Sequence, residues 1–395
     1  MLLGNFRRLF FTELQLQKLL ILYEMHTKTL CMSDLEKHLK ESRKKVKRII
    51  ESLEEDITAY NHKNKKNFIL VLNKNNIYFS QNIKDEEYTQ LLYYIREKYL
   101  LSSSLYQSLL FVLEQRSFSV IDIACSLSYS ESYTYKLISK LNTFFCLVDI
   151  GIKINKKNKN TLYLSGDEVV IRLLQYLLIN IVSTKDSWHF QTILESQTEI
   201  LHSFANSNRT KRFSCTNLKR VKVIIAVYEI AIRRGDLSSA LPSSVRSVGR
   251  IINKEKEIYV YLNYLRKREL GETRELYEEL LQLAFIINYF TQELRTKNEK
   301  IKLGKELVKN SENPIIKPCV GLINRICKKY KLSESSYYLL AYYICNCLIV
   351  IHYLKLYKFM KLDKFYTRKG ETEKFIQMAI KKNFTIYQMI LLLIS

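Results

Sequence analysis

The residues whose types and spacing could do chemistry are cations. Arg43, Lys44, Lys45, Lys47 and Arg48 crowd the run ESRKKVKRII, and Lys136 and Lys140 stand one helical turn apart in SESYTYKLISK, beside Ser132, Tyr133 and Tyr135. Ammonium and guanidinium groups bind phosphate oxygens, while hydroxyl, phenol and amine groups also reach base edges. Nothing near these runs supplies catalytic partners. No nucleophile–base set accompanies them, G-x-G-x-x-G and G-x-x-x-x-G-K-[ST] are absent, and Gly304-Lys305 stands alone. The eight cysteines include no C-x-x-C, and Cys345-Asn346-Cys347 lacks His or Cys partners at ligand spacing. The expectation is a binding protein, with no enzyme activity, no metal and no cofactor.

The elements that must position these cations are short helix pairs. In Ser119 to Phe145, SVIDIACSLSYSESYTYKLISKLNTFF, the residues Ile121, Ile123, Ala124 and Leu127 predict one buried helix face. Ser128, Tyr129 and Ser130 interrupt it, and Ser130 suits an N-cap. Thr134, Leu137, Ile138 and Leu141 then predict a second buried face, leaving Glu131, Ser132, Tyr133, Tyr135, Lys136 and Lys140 outside. Two helices joined by a tight turn, the second polar and basic, fit a helix-turn-helix that lays the second helix in a major groove.

The pattern repeats 88 residues earlier, in SDLEKHLKESRKKVKRIIESL, Ser33 to Leu53. Asp34 falls on Asp122, Leu35 on Ile123, Leu39 on Leu127, Ser42 on Ser130, Val46 on Thr134, Arg48 on Lys136 and Leu53 on Leu141. The agreement is at core and cap positions, as a shared fold demands. After the second pair, Ile150, Ile152 and Ile154 alternate with small or polar residues, a basic turn covers Asn155 to Asn160, and Leu162 and Leu164 alternate again. This predicts a β-hairpin, the wing of a winged helix. After the first pair, HKNKKN from His62, FILVLN from Phe68 and NNIYFS from Asn75 predict a similar wing.

The chain has 395 residues, with 47% hydrophobic content but Gly 9 and Pro 3. That composition predicts a mainly α protein. The net charge of +24 favours a polyanionic partner. Residues 1–165 hold 25 basic against 17 acidic residues, so +8 lies there and +16 beyond. The eight cysteines, most in apolar runs, and the lack of a secretory signal predict reduced thiols in a cytoplasm. Leu14 to Tyr23 and Leu105 to Glu114 predict supporting helices, and Asp85 to Tyr99 a linking helix. GDEVVIRLLQYLLINIV (Gly166 to Val182), Lys219 to Arg233, Lys254 to Lys267 and Glu272 to Phe290 predict a bundle, with a boundary at Asn310 to Val320. Ser335 to Leu354 is uncharged for about a membrane span, but its Ser, Asn and His residues favour a bundle helix over a membrane partner.

This order of parts, with the second winged helix running through NKKNKNTLYLSG into GDEVVIRLLQYLL, resembles the Mga/AtxA-type transcriptional regulators of Gram-positive bacteria. The resemblance implies two winged helix-turn-helix domains, at 1–82 and 83–165, followed by bundles similar to phosphotransferase-system regulation domains (PRD-like), at 166–309 and 310–386. It further implies a sequence-specific DNA-binding transcriptional regulator, an activator, controlled by histidine phosphorylation with phosphocarrier proteins of the phosphotransferase system (PTS) as partners. Residues 387–395 look like the opening strand of an EIIB-like domain cut short. Double-stranded promoter DNA and a second copy of the chain are the other implied partners. His189 and His202, next to polar stretches, are the candidate phosphoacceptors, and His352, inside an apolar run, is expected to be structural. The alternative is a truncated regulator acting as a protein-interaction module without specific DNA binding.

Overall fold

A single turn, α1 (Arg7–Phe10), precedes Thr12, whose hydroxyl accepts the Gln15 amide while the Gln15 side chain accepts the Thr12 amide. This capping box starts α2 (Glu13–Met25). There follow β1 (Leu30–Cys31), α3 (Met32–Leu39), α4 (Arg43–Asn64), β2 (Leu70–Asn73) and β3 (Asn76–Phe79). The strands form an antiparallel sheet in the order β1-β3-β2, with Leu30 and Leu72 both opposite Ile77. Ile21 and Leu22 of α2, Met32 and Leu35 of α3 and Val46, Ile49 and Leu53 of α4 are buried and make the core of a winged helix. The computed structural model describes residues 7–26, 29–73, 75–182, 188–198, 215–253, 274–291 and 295–360.

The arrangement then recurs. The linking helix α5 (Asp85–Leu101) opens on Asp85, Glu86 and Glu87 and carries Lys98 in its last turn, in keeping with its dipole. It leads to α6 (Ser104–Gln115), β4 (Ser117–Phe118), α7 (Val120–Leu127), α8 (Glu131–Val148), β5 (Lys153–Lys156) and β6 (Leu162–Ser165), with sheet order β4-β6-β5. The repeat spacing holds where it was read: α3 shifted by 88 residues falls on α7, and the start of α4 falls on the start of α8.

The two winged helices belong to one compact unit, residues 1–165 with 177–189. Phe10 packs edge-on against Tyr106 of α6 at 6.1 Å and Phe144 of α8 at 5.2 Å between ring centroids. On the other side, Asp56 of α4 is buried and accepts Lys18 Nζ of α2 and Lys98 Nζ of α5, each at 2.7 Å, and the Tyr99 hydroxyl. Burial pushes the Asp56 carboxyl up, but these three donors outweigh it and hold its pKa below the ordinary carboxylate value. The linking helix is thus tied to the supporting and second helices of the first winged helix.

Three sequence expectations shift in this unit. Ile121 is 57% exposed rather than buried. The capping box of Ser119 and Asp122 starts α7 at Val120, and the stripe facing the core is Val120, Ile123, Ala124 and Leu127. Ile121 lies two positions from Ile123, about 200° round the helix, on the opposite side. Second, His62 to Asn64 form the last turn of α4, not an approach to the wing. Here α4 runs to 22 residues against 18 for α8, and Asn61 closes its end by bonding both the amide and the carbonyl of Phe68. Third, Cys125 and Cys146 are exposed, whereas Cys319, Cys345 and Cys347 are buried as small hydrophobes.

The second unit comprises residues 166–176 and 190–395. Asp167 caps α9 (Glu168–Val182), accepting the Val170 amide. Arg172 of α9 is almost fully buried, an arrangement stable only with partners. It donates to Glu279, to Glu168 at 3.0 Å and to the Asp236 carbonyl at 2.5 Å, and its guanidinium lies 4.6 Å from the centre of the Tyr228 ring. Among the described residues this unit also contains a 3-10 turn at Glu195–Thr198, α10 (Cys215–Arg234), α11 (Ser243–Ile252), α12 (Arg274–Phe290), α13 (Lys297–Lys309), α14 (Ile316–Tyr330), α15 (Glu334–Leu348), a wide π turn at Ile349–Tyr353, and α16 (Tyr357–Met360).

At 310–315, where a bundle boundary was expected, a short turn joins α13 to α14, and α13 packs on α15. That packing is close: a Cβ on Gly304 would lie 1.8 Å from the Tyr338 carbonyl oxygen. The stretch Glu334–Tyr353 is, among the described residues, the one helix long and apolar enough to cross a membrane, and half of its residues are buried within the protein. The helix expected at Lys254 to Lys267 and the strand expected at 387–395 lie outside the described residues.

Candidate nucleic-acid interface

The turn between the paired helices has the same build twice. Lys40 and Ser128 adopt the left-handed conformation, and the next amide bonds back five residues, Glu41 to the Glu36 carbonyl at 3.1 Å and Tyr129 to the Ala124 carbonyl at 2.9 Å. This closes α3 and α7 and redirects the chain into the second helix of each pair. Ser42 and Ser130 are the N-caps that follow.

In α8, Ser130 Oγ accepts the Tyr133 amide, and Glu131 occupies the first turn. Thr134, Leu137, Ile138 and Leu141 are buried, as their spacing predicted. Ser132, Tyr133, Tyr135, Lys136 and Lys140 are all exposed, Tyr135 at 61%. Tyr133 stands edge-on to Tyr129 of the turn at 5.4 Å. The face offers phenol, hydroxyl, ammonium and carboxylate groups.

In α4, Arg43, Lys44, Lys45, Lys47 and Arg48 are all exposed around the buried Val46, Ile49 and Ile50. The Arg43 guanidinium donates to Asn75 Oδ1 beside the wing at 2.5 Å, and Lys45 pairs with Glu41 at 2.5 Å. Ser42 makes no side-chain cap bond, and the first turn holds no acid. The structure therefore brings each set of candidates onto one exposed helix start.

The wings complete the surface. Between β5 and β6, Asn158 Oδ1 accepts the amides of Asn160 and Thr161, shaping the tip. Lys153, Lys156, Lys157 and Lys159 are exposed on this hairpin. These four lysines belong to the wing, whose basic turn at Asn155 to Asn160 was expected from the sequence. Their signal was the run KINKKNK, where alternation gives way to a polar turn.

The histidine expectations fare differently. His189 is not exposed: its side chain is 8% accessible, and Nε2 lies 3.6 Å from a Glu97 carboxylate oxygen. His352, expected to be structural, is exposed in the π turn, 5.1 Å from the Tyr353 ring and 6.3 Å from the Tyr357 ring. The wide turn rotates it off the buried side of α15, where Ile349, Val350 and Ile351 remain. His202 lies outside the described residues.

No curated protein matches the sequence. Residues 88–179 match a family model, the Mga helix-turn-helix domain. The match starts in α5, contains α6 to β6 and ends in α9, so it encloses the whole second winged helix. Topology, exposed helix face and family match coincide on the same residues, and they identify the second winged helix as an Mga helix-turn-helix domain, the part through which this chain is similar to the Mga-type DNA-binding transcriptional regulators.

Proposed function

We propose that the chain binds promoter DNA in a sequence-specific manner and activates transcription from it, in the cytoplasm. The observation that carries this reading is the exposed face of α8, with Ser132, Tyr133, Tyr135, Lys136 and Lys140, standing inside the Mga helix-turn-helix match. A helix of this kind enters the major groove and presents its first turns to base edges. The exposed basic start of α4 supplies a second contact to the duplex. The test is binding of the purified chain to the DNA upstream of its own reading frame and to a scrambled duplex, across a salt series, with Lys136→Ala and Arg48→Ala alongside. Tighter binding to the upstream DNA is expected, with both variants weaker. Equal binding to both duplexes would overturn sequence specificity, and no binding to either would favour a protein-interaction module.

Control by histidine phosphorylation through PTS phosphocarrier proteins is the finer part of the proposal and rests on the resemblance of the helical unit to PRD-like domains. A phosphoacceptor ring must be reached by a bulky donor protein, which suits the exposed His352 better than the buried His189. Phosphate transfer from a phosphorylated carrier, measured on the unaltered chain and on His352→Ala, tests it. Retention of label in His352→Ala would rule that residue out. Self-association, also implied by the resemblance, is tested by sedimentation over a concentration range.

A further inference from the structure

The two winged helices share a fold but keep their cations in different places. In the first, the cations sit on the second helix of the pair: five of the six residues from Arg43 to Arg48 are basic. A helix start carries partial positive charge, so Arg43, Lys44 and Lys45 in the first turn oppose the dipole. Glu41 offsets Lys45, and Asn75 takes up Arg43. Lys44, Lys47 and Arg48 remain, at helical spacings that place them on one face, exposed and without an ion pair among the described residues. The hairpin beside them is poorer in cations: the strands Leu70–Asn73 and Asn76–Phe79 carry no charge, and the sequence between them adds one lysine, Lys74.

In the second winged helix the pattern is reversed. The start of α8 is capped and carries an acid, Glu131, which repels phosphate. Its exposed residues over the first turn and a half are Ser132, Tyr133, Tyr135 and Lys136. The cations are on the hairpin instead: Lys153, Lys156, Lys157 and Lys159 are exposed, and residues 151–165 contain no acid.

We propose that the two modules divide the recognition of duplex DNA, with the first acting as a phosphate clamp through Lys44, Lys47 and Arg48, and the second holding phosphate with its wing so that Ser132, Tyr135 and Lys136 of α8 read base edges. This rests on the DNA-binding reading above and adds which residues set affinity and which set specificity. The physical basis is that phosphate contacts carry no sequence information, whereas hydroxyl and amine contacts to base edges do. An acid at the start of α8 fits the same division, because a carboxylate accepts from cytosine N4 and is out of place against a phosphate.

The test uses the full chain, a duplex selected by that chain from a random-sequence library, and a scramble of equal composition, with anisotropy read over a salt series. The variants are Lys44→Gln/Lys47→Gln/Arg48→Gln, Lys156→Gln/Lys157→Gln/Lys159→Gln, and Ser132→Ala/Tyr135→Ala. All the altered side chains are exposed, and a thermal melt verifies each fold. Each glutamine triplet is expected to weaken both duplexes by the same factor and to lower the salt slope by about three. The Ser132/Tyr135 pair is expected to cut the preference for the selected duplex tenfold or more and to leave the slope unchanged. Loss of preference in either glutamine triplet, or retained preference in the α8 pair, would overturn the division while leaving DNA binding standing. Failure of the unaltered chain to bind any duplex would overturn the DNA-binding reading itself.

Discussion

Lys40 and Ser128 stand 88 residues apart and hold the same backbone: φ 53°, ψ 42° in the first, φ 57°, ψ 44° in the second. Each ends the first helix of its pair in the left-handed region, where a side chain costs about 1 kcal/mol or more that glycine avoids. Both turns are therefore stabilised by a single change. Lys40→Gly and Ser128→Gly are each expected to raise stability by about 1 kcal/mol, and Ser128→Val to lower it. Chemical denaturation with a constant m-value checks this.

The Asp56 cluster predicts a pH dependence with a definite sign. The folded carboxyl titrates below its unfolded value because Lys18, Lys98 and Tyr99 overcome the effect of burial. The stability it contributes is fully present above the unfolded pKa of about 3.9, and is lost as pH falls through the folded pKa. Asp56→Asn removes this dependence, so its deficit relative to the parent should shrink as the pH drops below about 4. Asp56→Ala strands the buried Lys18 ammonium and should cost about 3–5 kcal/mol at neutral pH. Urea titrations from pH 3 to 7 distinguish these outcomes.

Close approach at Gly304 makes the crossing of α13 and α15 intolerant of any side chain. A Cβ there meets the Tyr338 backbone, which cannot rotate away as a side-chain tip does. Gly304→Ala is expected to lower stability by about 1–3 kcal/mol, as overpacking does, although alanine is the better helix former. Gly321, in α14, has open space where a Cβ would go. Gly321→Ala should stabilise by about 1 kcal/mol. Opposite signs in paired thermal melts confirm the crossing; equal signs refute it.

Lys300 is buried on α13 with its Nζ 2.7 Å from the Tyr343 hydroxyl. Burial first, and then the nearby Arg295 charge, lower its pKa to about 8. A folded pKa below the unfolded value of about 10.4 means that the unfolded chain binds more protons in between. The parent should therefore gain stability relative to Lys300→Met as pH rises from about 8 to about 10.5, with no such trend between pH 6 and 7. Denaturation midpoints of the two proteins across this range measure it.

Much of the unit that holds the two winged helices was legible because it repeats. Leu35 with Ile123, Leu39 with Leu127 and Ser42 with Ser130 fix helix phase and cap position twice, and a turn that must point a second helix outward leaves a polar face at the same positions each time. What was not legible depended on a single helix phase or on tertiary packing. Ile121 reads as apolar and therefore buried until the capping box at Ser119 sets where α7 begins. His189 follows Trp188 in a polar stretch, yet packing places it beside Glu97. His352 sits in an apolar run, and only a change of helical pitch at Ile349–Tyr353 turns it outward. The extra turn that α4 gains from His62 to Asn64 is closed by Asn61 bridging to Phe68, a contact that spacing does not announce.

The bonds from Asp56 to α2 and α5, and the rings of Phe10, Tyr106 and Phe144, join the two winged helices into one body. A protein whose reading heads hang on a tether accepts subsites at many separations. One whose heads share a core is a fixed-gauge ruler: on the proposed reading, the distance between the two patches of duplex it grips is written into the protein, and inserting even a full helical turn of DNA between them would cost one of the two grips.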